Sequence, residues 1–487
     1  MNENSKINWS DEQLAIFDWF KSGKGNLVVQ ARAGTGKTTT IKEAFSHAPE
    51  ERMLYAVFNK KNQVEAAAKI TDPRVEVKTL HSLGFRYIKR MWRDARPDDK
   101  VEWERIDNVL GFDEYSDEVR SELHKLIGFA KNTLCQPDLA NLTELAVARD
   151  LGNDEESPAS LAQLALKVLE ESKFPRKDGR ISFNDMVWLP VACDWVRPWF
   201  NLVVVDEAQD MNTPQLMMAM KACKKFGRVC VVGDDRQAIY GFRGAAQDGM
   251  GLMKGILNAS TLGLTVTYRC PKLVVQIAQQ FVPDYRAASA APEGVITHAS
   301  SEMLLGMVEA GDAVLSRSNA PLMPLCLSLL RRGVPAAIEG RDVGKMLTNI
   351  AKKLKGRSVP DFLAKVSNWE TRMKKRAEKS DKDVEKKIAE YEDQAACLVA
   401  VAEGAKSVSE VMTRLEDLFR DSEYDRRPKV ILSSVHKAKG LEWDSVYMLT
   451  ETFLRKRPGA AGPSQEEENI YYVAVTRSKR HLVQVAG

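Results

Sequence analysis

The run Leu27-Val28-Val29-Gln30 breaks at once into Ala31-Arg32-Ala33-Gly34-Thr35-Gly36-Lys37-Thr38, and a helical pattern then begins at Thr39-Thr40-Ile41. An apolar strand, a glycine-bearing loop and a helix N-terminus in this succession leave few folds open. The backbone N–H groups of such a loop converge, and together with the helix end they form a nest for phosphate oxygens. Lys37 then reaches the β- and γ-phosphates, the Thr38 hydroxyl ligates Mg²⁺, and the backbone from Ala33, Gly34, Thr35 and Gly36 to Thr39 cradles the anion. The usual first glycine of this pattern is Ala31 here.

Further apolar runs extend the pattern. Met53–Val57, Leu202–Val205, Val229–Val232, Ala313–Ser316, Val430–Ser433, Val446–Leu449 and Leu482–Val485 all read as buried strands, separated by longer helical stretches. That alternation predicts an α/β protein with parallel sheets. The strands fall into two groups, Leu27–Val232 and Ala313–Val485, hence two α/β cores. Strand signals vanish between about residues 88 and 180 and again between about 341 and 427, which predicts a helical insertion in each core. The second insertion is basic: residues 345–387 carry 14 Lys/Arg against 6 Asp/Glu. Such a run is usually a solvated helix face; here a nucleic-acid track or partner surface is the other reading. Over all 487 residues the net charge is only +4, so polyanion binding would need local clusters of this kind. The seven cysteines form no C-x-x-C pair, which argues against a disulfide scaffold or a structural zinc site. With no apolar leader and no run near the 20 or so residues that span a bilayer, the expectation is a soluble protein of a reducing compartment, cytoplasmic or nuclear.

A phosphate loop needs an acidic pair on a neighbouring strand before it can hydrolyse anything. Leu202-Val203-Val204-Val205 runs straight into Asp206-Glu207-Ala208-Gln209-Asp210. Asp206 is placed to hold Mg²⁺, and Glu207 to orient and deprotonate the attacking water. ATP or GTP hydrolysis is the expected chemistry.

The strand Val229–Val232 ends in Gly233-Asp234-Asp235-Arg236-Gln237-Ala238-Ile239-Tyr240-Gly241-Phe242-Arg243-Gly244-Ala245. Together with Asp-Glu-Ala-Gln-Asp, this phrase resembles the superfamily 1A DNA helicases, the UvrD/PcrA/Rep group. The rest of that family's motif series is matched in order. It includes Trp9-Ser10-Asp11-Glu12-Gln13, Thr79-Leu80-His81-Ser82-Leu83, Thr267-Tyr268-Arg269, Ser434-Val435-His436-Lys437-Ala438-Lys439-Gly440-Leu441-Glu442-Trp443 and Tyr472-Val473-Ala474-Val475-Thr476-Arg477. Leu54-Tyr55-Ala56-Val57-Phe58-Asn59-Lys60 is similar to the F-box DNA helicase branch, although there is no room for an F-box segment before residue 9.

The resemblance implies two RecA-like cores with ATP between them. It assigns Arg269 and Arg477 to the γ-phosphate as transition-state arginines, and Gln237 to sensing that phosphate and coupling it to the DNA track. It assigns Tyr268 to stacking on adenine, Gln13 to its edge and Glu442 to the ribose. Tyr240 and Phe242 match the aromatics that stack on bases of a single strand. His81, Asn59, Arg317 and His436 match backbone contacts, and Phe58 is a further nucleic-acid candidate, an aromatic shifted by one from the family's Phe-Thr-Asn-Lys phrase, for which a core position at a strand end is the alternative. The expected layout is a first core from residues 1–90 and 181–262 with an insertion at 91–180. A second core follows from 263–340 and 428–487, with an insertion at 341–427. The expected function is ATP- and Mg²⁺-dependent 3′→5′ translocation on single-stranded DNA with unwinding at single-strand/duplex junctions, by a monomer, in repair, recombination or replication. Single-strand-binding or recombinase proteins are expected partners. The insertions are short for the family, which leaves open a translocase that strips proteins with little unwinding. An RNA helicase and an idle nucleic-acid clamp are more distant alternatives.

Overall fold

A computed structural model describes residues 8–111, 115–153, 155–239, 249–378, 384–418, 428–455 and 462–486. The chain forms two compact units, residues 1–265 and 266–487, and each carries one six-stranded, wholly parallel sheet.

In the first unit the strand order is Val75–Thr79, Met53–Val57, Phe200–Val205, Cys223–Gly233, Leu27–Ala31, Ser260–Leu264. The period of two along each strand sends alternate residues to opposite faces. Val28, Leu54, Ala56, Val203 and Val205 join one hydrophobic core, while Leu27, Val29, Tyr55, Leu202 and Val204 join another. Both faces are thus covered by helices, as a parallel sheet requires. Ser260–Leu264 belongs to this sheet, so the first unit runs to Thr265, three residues beyond the division expected at 262.

The first insertion is helical. Lys100–Leu110, Asp117–Thr133, Leu139–Ala148 and Pro158–Ser172 bury Ile106, Leu123, Leu126, Ile127, Leu161 and Val168 among themselves. Its two ends are pinned where Arg96 N donates to Gly179 O (2.9 Å) and Asp98 N to Ile181 O (2.8 Å). Gly84, on the helix Leu80–Met91, makes close packing on the sheet side of the insertion possible. A Cβ there would collide with the Met186 carbonyl on Phe183–Ala192.

In the second unit the order is Val295–Ser300, Ser478–Ala486, Trp443–Leu449, Ala313–Ser316, Val430–Ser434, Ala336–Ile338. Its insertion consists of the helices Arg341–Leu354, Val359–Glu378, Val384–Ala402 and Val408–Leu418. Leu347, Phe362, Val366, Leu398 and Leu415 bury into one core with the sheet's Val430 and Leu432. Among the described residues no helix is long and apolar enough to cross a membrane.

Candidate nucleotide and nucleic-acid sites

Strand order explains how three distant stretches meet in the first unit. Leu27–Ala31, which feeds the phosphate loop, and Phe200–Val205, which feeds Asp206-Glu207, lie on either side of Cys223–Gly233. All three strands are parallel, so their C-terminal ends deliver the loop, the acidic pair and Asp234 to one edge of the sheet.

The phosphate loop turns through Gly34 (φ 70°) and Gly36 (φ 79°), left-handed conformations in which a side chain would be strained. Gly36 caps the helix Lys37–His47 without a side-chain bond, so the first N–H groups of that helix stay directed out of its end. Lys37 Nζ lies 2.8 Å from Glu207 Oε1. Burial works against its ammonium charge, but Glu207, Asp206 and Asp234 outweigh burial and raise its pKa. Glu207 itself sits at φ 52°, a left-handed conformation uncommon for a residue with a side chain. Its other carboxylate oxygen accepts from Gln209 Nε2 at 2.6 Å.

Asp206 is buried. Its Oδ2 accepts from the Tyr55 hydroxyl at 2.5 Å and its Oδ1 from the Glu207 backbone N–H at 2.9 Å. Burial and the neighbouring Glu207 push its carboxyl up, opposed by Lys37 and Tyr55. A buried carboxylate, a second carboxylate beside it and the Thr38 hydroxyl form a hard-oxygen donor set with excess negative charge. Such a donor set has the hard-oxygen chemistry that suits a divalent cation such as Mg²⁺.

Gln237 reaches this cluster through Asp234, whose Oδ2 accepts from Gln237 Nε2 at 2.7 Å. The Asp234 N–H donates to Gln209 Oε1 at 3.1 Å, and a Cβ at Gly233 would strike the same Gln209 oxygen. Gln13, at the start of the first helix, shares a capping box with Ser10 and donates to Thr40 Oγ1 at 2.9 Å. It therefore lies against the helix that leaves the loop, next to Gly36.

In the second unit the sheet separates the candidates by edge. Glu442 and Arg477 immediately precede Trp443–Leu449 and Ser478–Ala486, at the N-terminal end of the sheet. Arg269 Nε is ion-paired with Glu442 Oε2 at 2.5 Å. Arg477 is 1% exposed, yet among the described residues its guanidinium donates to neutral acceptors: Val473 O (2.8 Å), Leu441 O (3.1 Å) and Thr476 Oγ1 (3.1 Å). Burial, then the nearby Arg269, push its pKa down to about 10, so it remains a cation at neutral pH. With no carboxylate partner among the described residues, such a buried guanidinium has the chemistry to receive an anion. Tyr268, beside Arg269, is half exposed.

Arg317 and His436 lie at the opposite edge, each beyond a strand end that the register Ser316↔Ser434 aligns. Arg317 Nε is held by Glu467 Oε1 at 2.8 Å. In the first unit the Asn59 side chain caps the helix Lys60–Lys69, and Phe58 packs, partly buried, against the core. Burial pushes the His81 imidazole down. Tyr240 and Phe242 lie outside the described residues.

Four residues of the polar cluster have no assigned role in the motif reading: Arg32, Tyr55, Gln209 and Asp234. Only Tyr55 carries a sequence signal independent of the motifs. It is a phenol in a strand buried along its whole length, and such a hydroxyl needs a partner.

Comparison with known proteins agrees with this geometry. Residues 9–255 match the UvrD/REP helicase N-terminal domain, and residues 341–486 match the UvrD-like helicase C-terminal domain. F-box DNA helicase protein 1 of Schizosaccharomyces pombe is 25% identical across 99% of this chain and 57% of its own length. The ATP-dependent DNA helicase PcrA of Staphylococcus aureus is 24% identical across 54% of this chain and 38% of its own. For the ATP-dependent DNA helicase UvrD2 of Mycobacterium bovis the figures are 24%, 94% and 76%. The chain thus spans about half the length of the first two relatives. With more than half of its residues matching the N-terminal family model, motif order intact and a parallel sheet delivering those motifs to one edge, the chain belongs to the UvrD/REP helicase family.

Proposed function

We propose that this chain is an ATP-driven motor that translocates 3′→5′ along single-stranded DNA and opens duplex at a junction. The observation that carries the reading is the unbroken polar path from Lys37 through Glu207, Gln209 and Asp234 to Gln237. A catalytic carboxylate linked in this way to the segment leading to Tyr240 and Phe242 suits an ATPase whose turnover is felt by a bound strand.

The proposed division of labour follows the geometry. Backbone N–H groups from Ala33 to Thr39 hold the phosphates, Lys37 leaves Glu207 for them, and Glu207 then takes the proton of the attacking water. Bound at Thr38 and Asp206, Mg²⁺ supplies Lewis-acid stabilisation of the phosphate oxygens. Gln13 reads the adenine edge, Tyr268 stacks on the base and Glu442 holds the ribose. Arg269 and Arg477 stabilise charge on the transferring phosphoryl group. On the DNA side, Tyr240 and Phe242 provide stacking, and Asn59, His81, Arg317 and His436 hold the backbone. Phe58 is assigned to packing. Residues 1–90 with 181–265, and 266–340 with 428–487, act as the two motor cores. The short, basic second insertion also fits a translocase that clears proteins such as recombinases from a strand.

The test is steady-state ATP hydrolysis alone and with single-stranded DNA, single-stranded RNA or blunt duplex, with Lys37→Ala as blank. Displacement of streptavidin from either end of a biotinylated strand adds the direction. Strong stimulation by single-stranded DNA and displacement from the 5′ end alone are expected. Equal hydrolysis in every tube would sink the motor reading.

A further inference from the structure

We infer that Arg32 is a positioning residue that fastens the phosphate loop to the segment carrying Gln237, so that the nucleotide state of the loop sets the placement of that segment. This rests on the ATP-driven reading above. The Arg32 side chain is nearly buried, and its Nη1 lies 3.0 Å from Asp234 Oδ1 and 2.6 Å from Asp235 Oδ1. The register of the two neighbouring strands, Gln30↔Gly233, brings the pair together just beyond the sheet edge. On the loop side the Arg32 backbone is anchored, its N–H donating to Leu264 O at 2.9 Å.

The pairing closes a ring. A polar path leaves the loop at Lys37, passes through Glu207 and Gln209 to the Asp234 backbone, and returns to the loop from the Asp234 carboxylate through Arg32. Gln237 hangs on the remaining oxygen of that carboxylate. Asp234 is fully buried, and burial pushes its carboxyl up while Arg32 opposes the shift. Without Arg32 the two adjacent carboxylates would face one another across the anchor of Gln237, with their nearest cation gone. An aliphatic residue at position 32 would preserve the turn but, among the described side-chain contacts, leave the Gln237 segment linked to the loop by the path through Lys37 and Glu207. Those are the residues that must separate when the loop receives phosphates. Arg32 supplies the contact that persists through that exchange.

The experiment measures the affinity of a fluorescein-labelled oligo-dT strand with and without a non-hydrolysable ATP analogue, in parallel with binding of a fluorescent nucleotide. In the unaltered chain the analogue is expected to change strand affinity by about fivefold or more, the usual lower range for coupled sites. Arg32→Ala should bring that ratio below about twofold and lower nucleotide affinity far less than Lys37→Ala does. Asp235→Asn removes the shorter ion pair at a partly exposed position, so it serves if Arg32→Ala does not fold; it should reduce the ratio by an intermediate amount. A full ratio in either folded variant overturns the inference, as does loss of nucleotide binding in Arg32→Ala equal to that in Lys37→Ala, which would make Arg32 a phosphate ligand. An unaltered chain with no ratio would instead overturn the ATP-driven reading itself, and the inference with it.

Discussion

The Tyr55 hydroxyl donates to Asp206 Oδ2 across 2.5 Å inside the first sheet. One buried aromatic therefore backs a residue proposed to hold Mg²⁺. Burial, then Asp206, drive the phenol's pKa well above its usual value, so it stays a donor at neutral pH. Tyr55→Phe removes that donor and leaves a buried acceptor with one bond fewer, a cost of about 1–3 kcal/mol. A support behind a metal ligand also matters to the metal, typically about 10–100-fold in affinity. The expected outcome is a small fall in melting temperature and a Mg²⁺ requirement for binding a fluorescent ATP analogue raised at least about tenfold. An unchanged Mg²⁺ titration would mean that Tyr55 serves packing alone.

Lys37 and Glu207 hold each other 2.8 Å apart, and this ion pair occupies the two groups that the proposed turnover needs separately. Glu207→Gln keeps the shape and the acceptor for Gln209 but abolishes the base. Hydrolysis in a single turnover should fall by about 10²–10⁴ while nucleotide binding persists. Loss of binding in proportion to loss of rate would show that Glu207 builds the pocket rather than activating water.

How much of this was legible from sequence follows from position in the sheets. The eight strands anticipated from apolar runs are the four inner strands of each sheet. Inner strands are buried on both faces and read as continuous Val, Leu and Ile, as in Leu202–Val205 and Val229–Val232. The four strands without such a signal, Val75–Thr79, Ser260–Leu264, Val295–Ser300 and Ala336–Ile338, are the four edges. Val75–Thr79 reads Val-Glu-Val-Lys-Thr and is mostly half-buried, so nothing in it demands a sheet. The polar cluster proposed as the nucleotide site stands out in the sequence for a different reason. Its groups sit at the ends of inner strands, where a change from apolar to polar is abrupt. Arg32 and Gln209 stand inside those same motifs, but their roles depend on which strands are neighbours, and local spacing does not carry that.

The first insertion hides a buried charge cluster. Lys131 Nζ lies 2.7 Å from Glu102 and 2.8 Å from Asp185, and Arg105 Nη1 is 2.6 Å from Asp185. Burial opposes ionisation of Asp185, but Lys131 and Arg105 prevail and hold its pKa down at about 2. The folded value is thus below the unfolded value of about 3.9. The stability this group contributes is present above pH 4 and is lost as pH falls from about 4 towards 2. Thermal melts between pH 5 and 2 should show this loss, and Asp185→Asn should flatten the slope while lowering stability at neutral pH. Lys131→Met leaves two buried carboxylates with only Arg105 and should cost about 3–5 kcal/mol. A neutral-pH melting temperature unmoved by Lys131→Met would contradict the cluster.

Arg477 makes the sharpest case for a function that structure alone would not select. Its guanidinium is buried with no carboxylate partner among the described residues, an arrangement that costs free energy unless an anion arrives. It is held in place by three acceptors in different directions, Val473 O, Leu441 O and Thr476 Oγ1. A lysine carries the same charge but concentrates it at one nitrogen and lacks the planar fork that spans those acceptors. If charge alone mattered, Arg477→Lys would retain most activity. If the fixed fork matters, Arg477→Lys should fall nearly as far as Arg477→Ala, within the roughly 10³–10⁵ loss typical of a transition-state arginine. We expect the second result, with ATP affinity changed far less than turnover. Normal hydrolysis by Arg477→Ala would show that Arg477 takes no part in turnover.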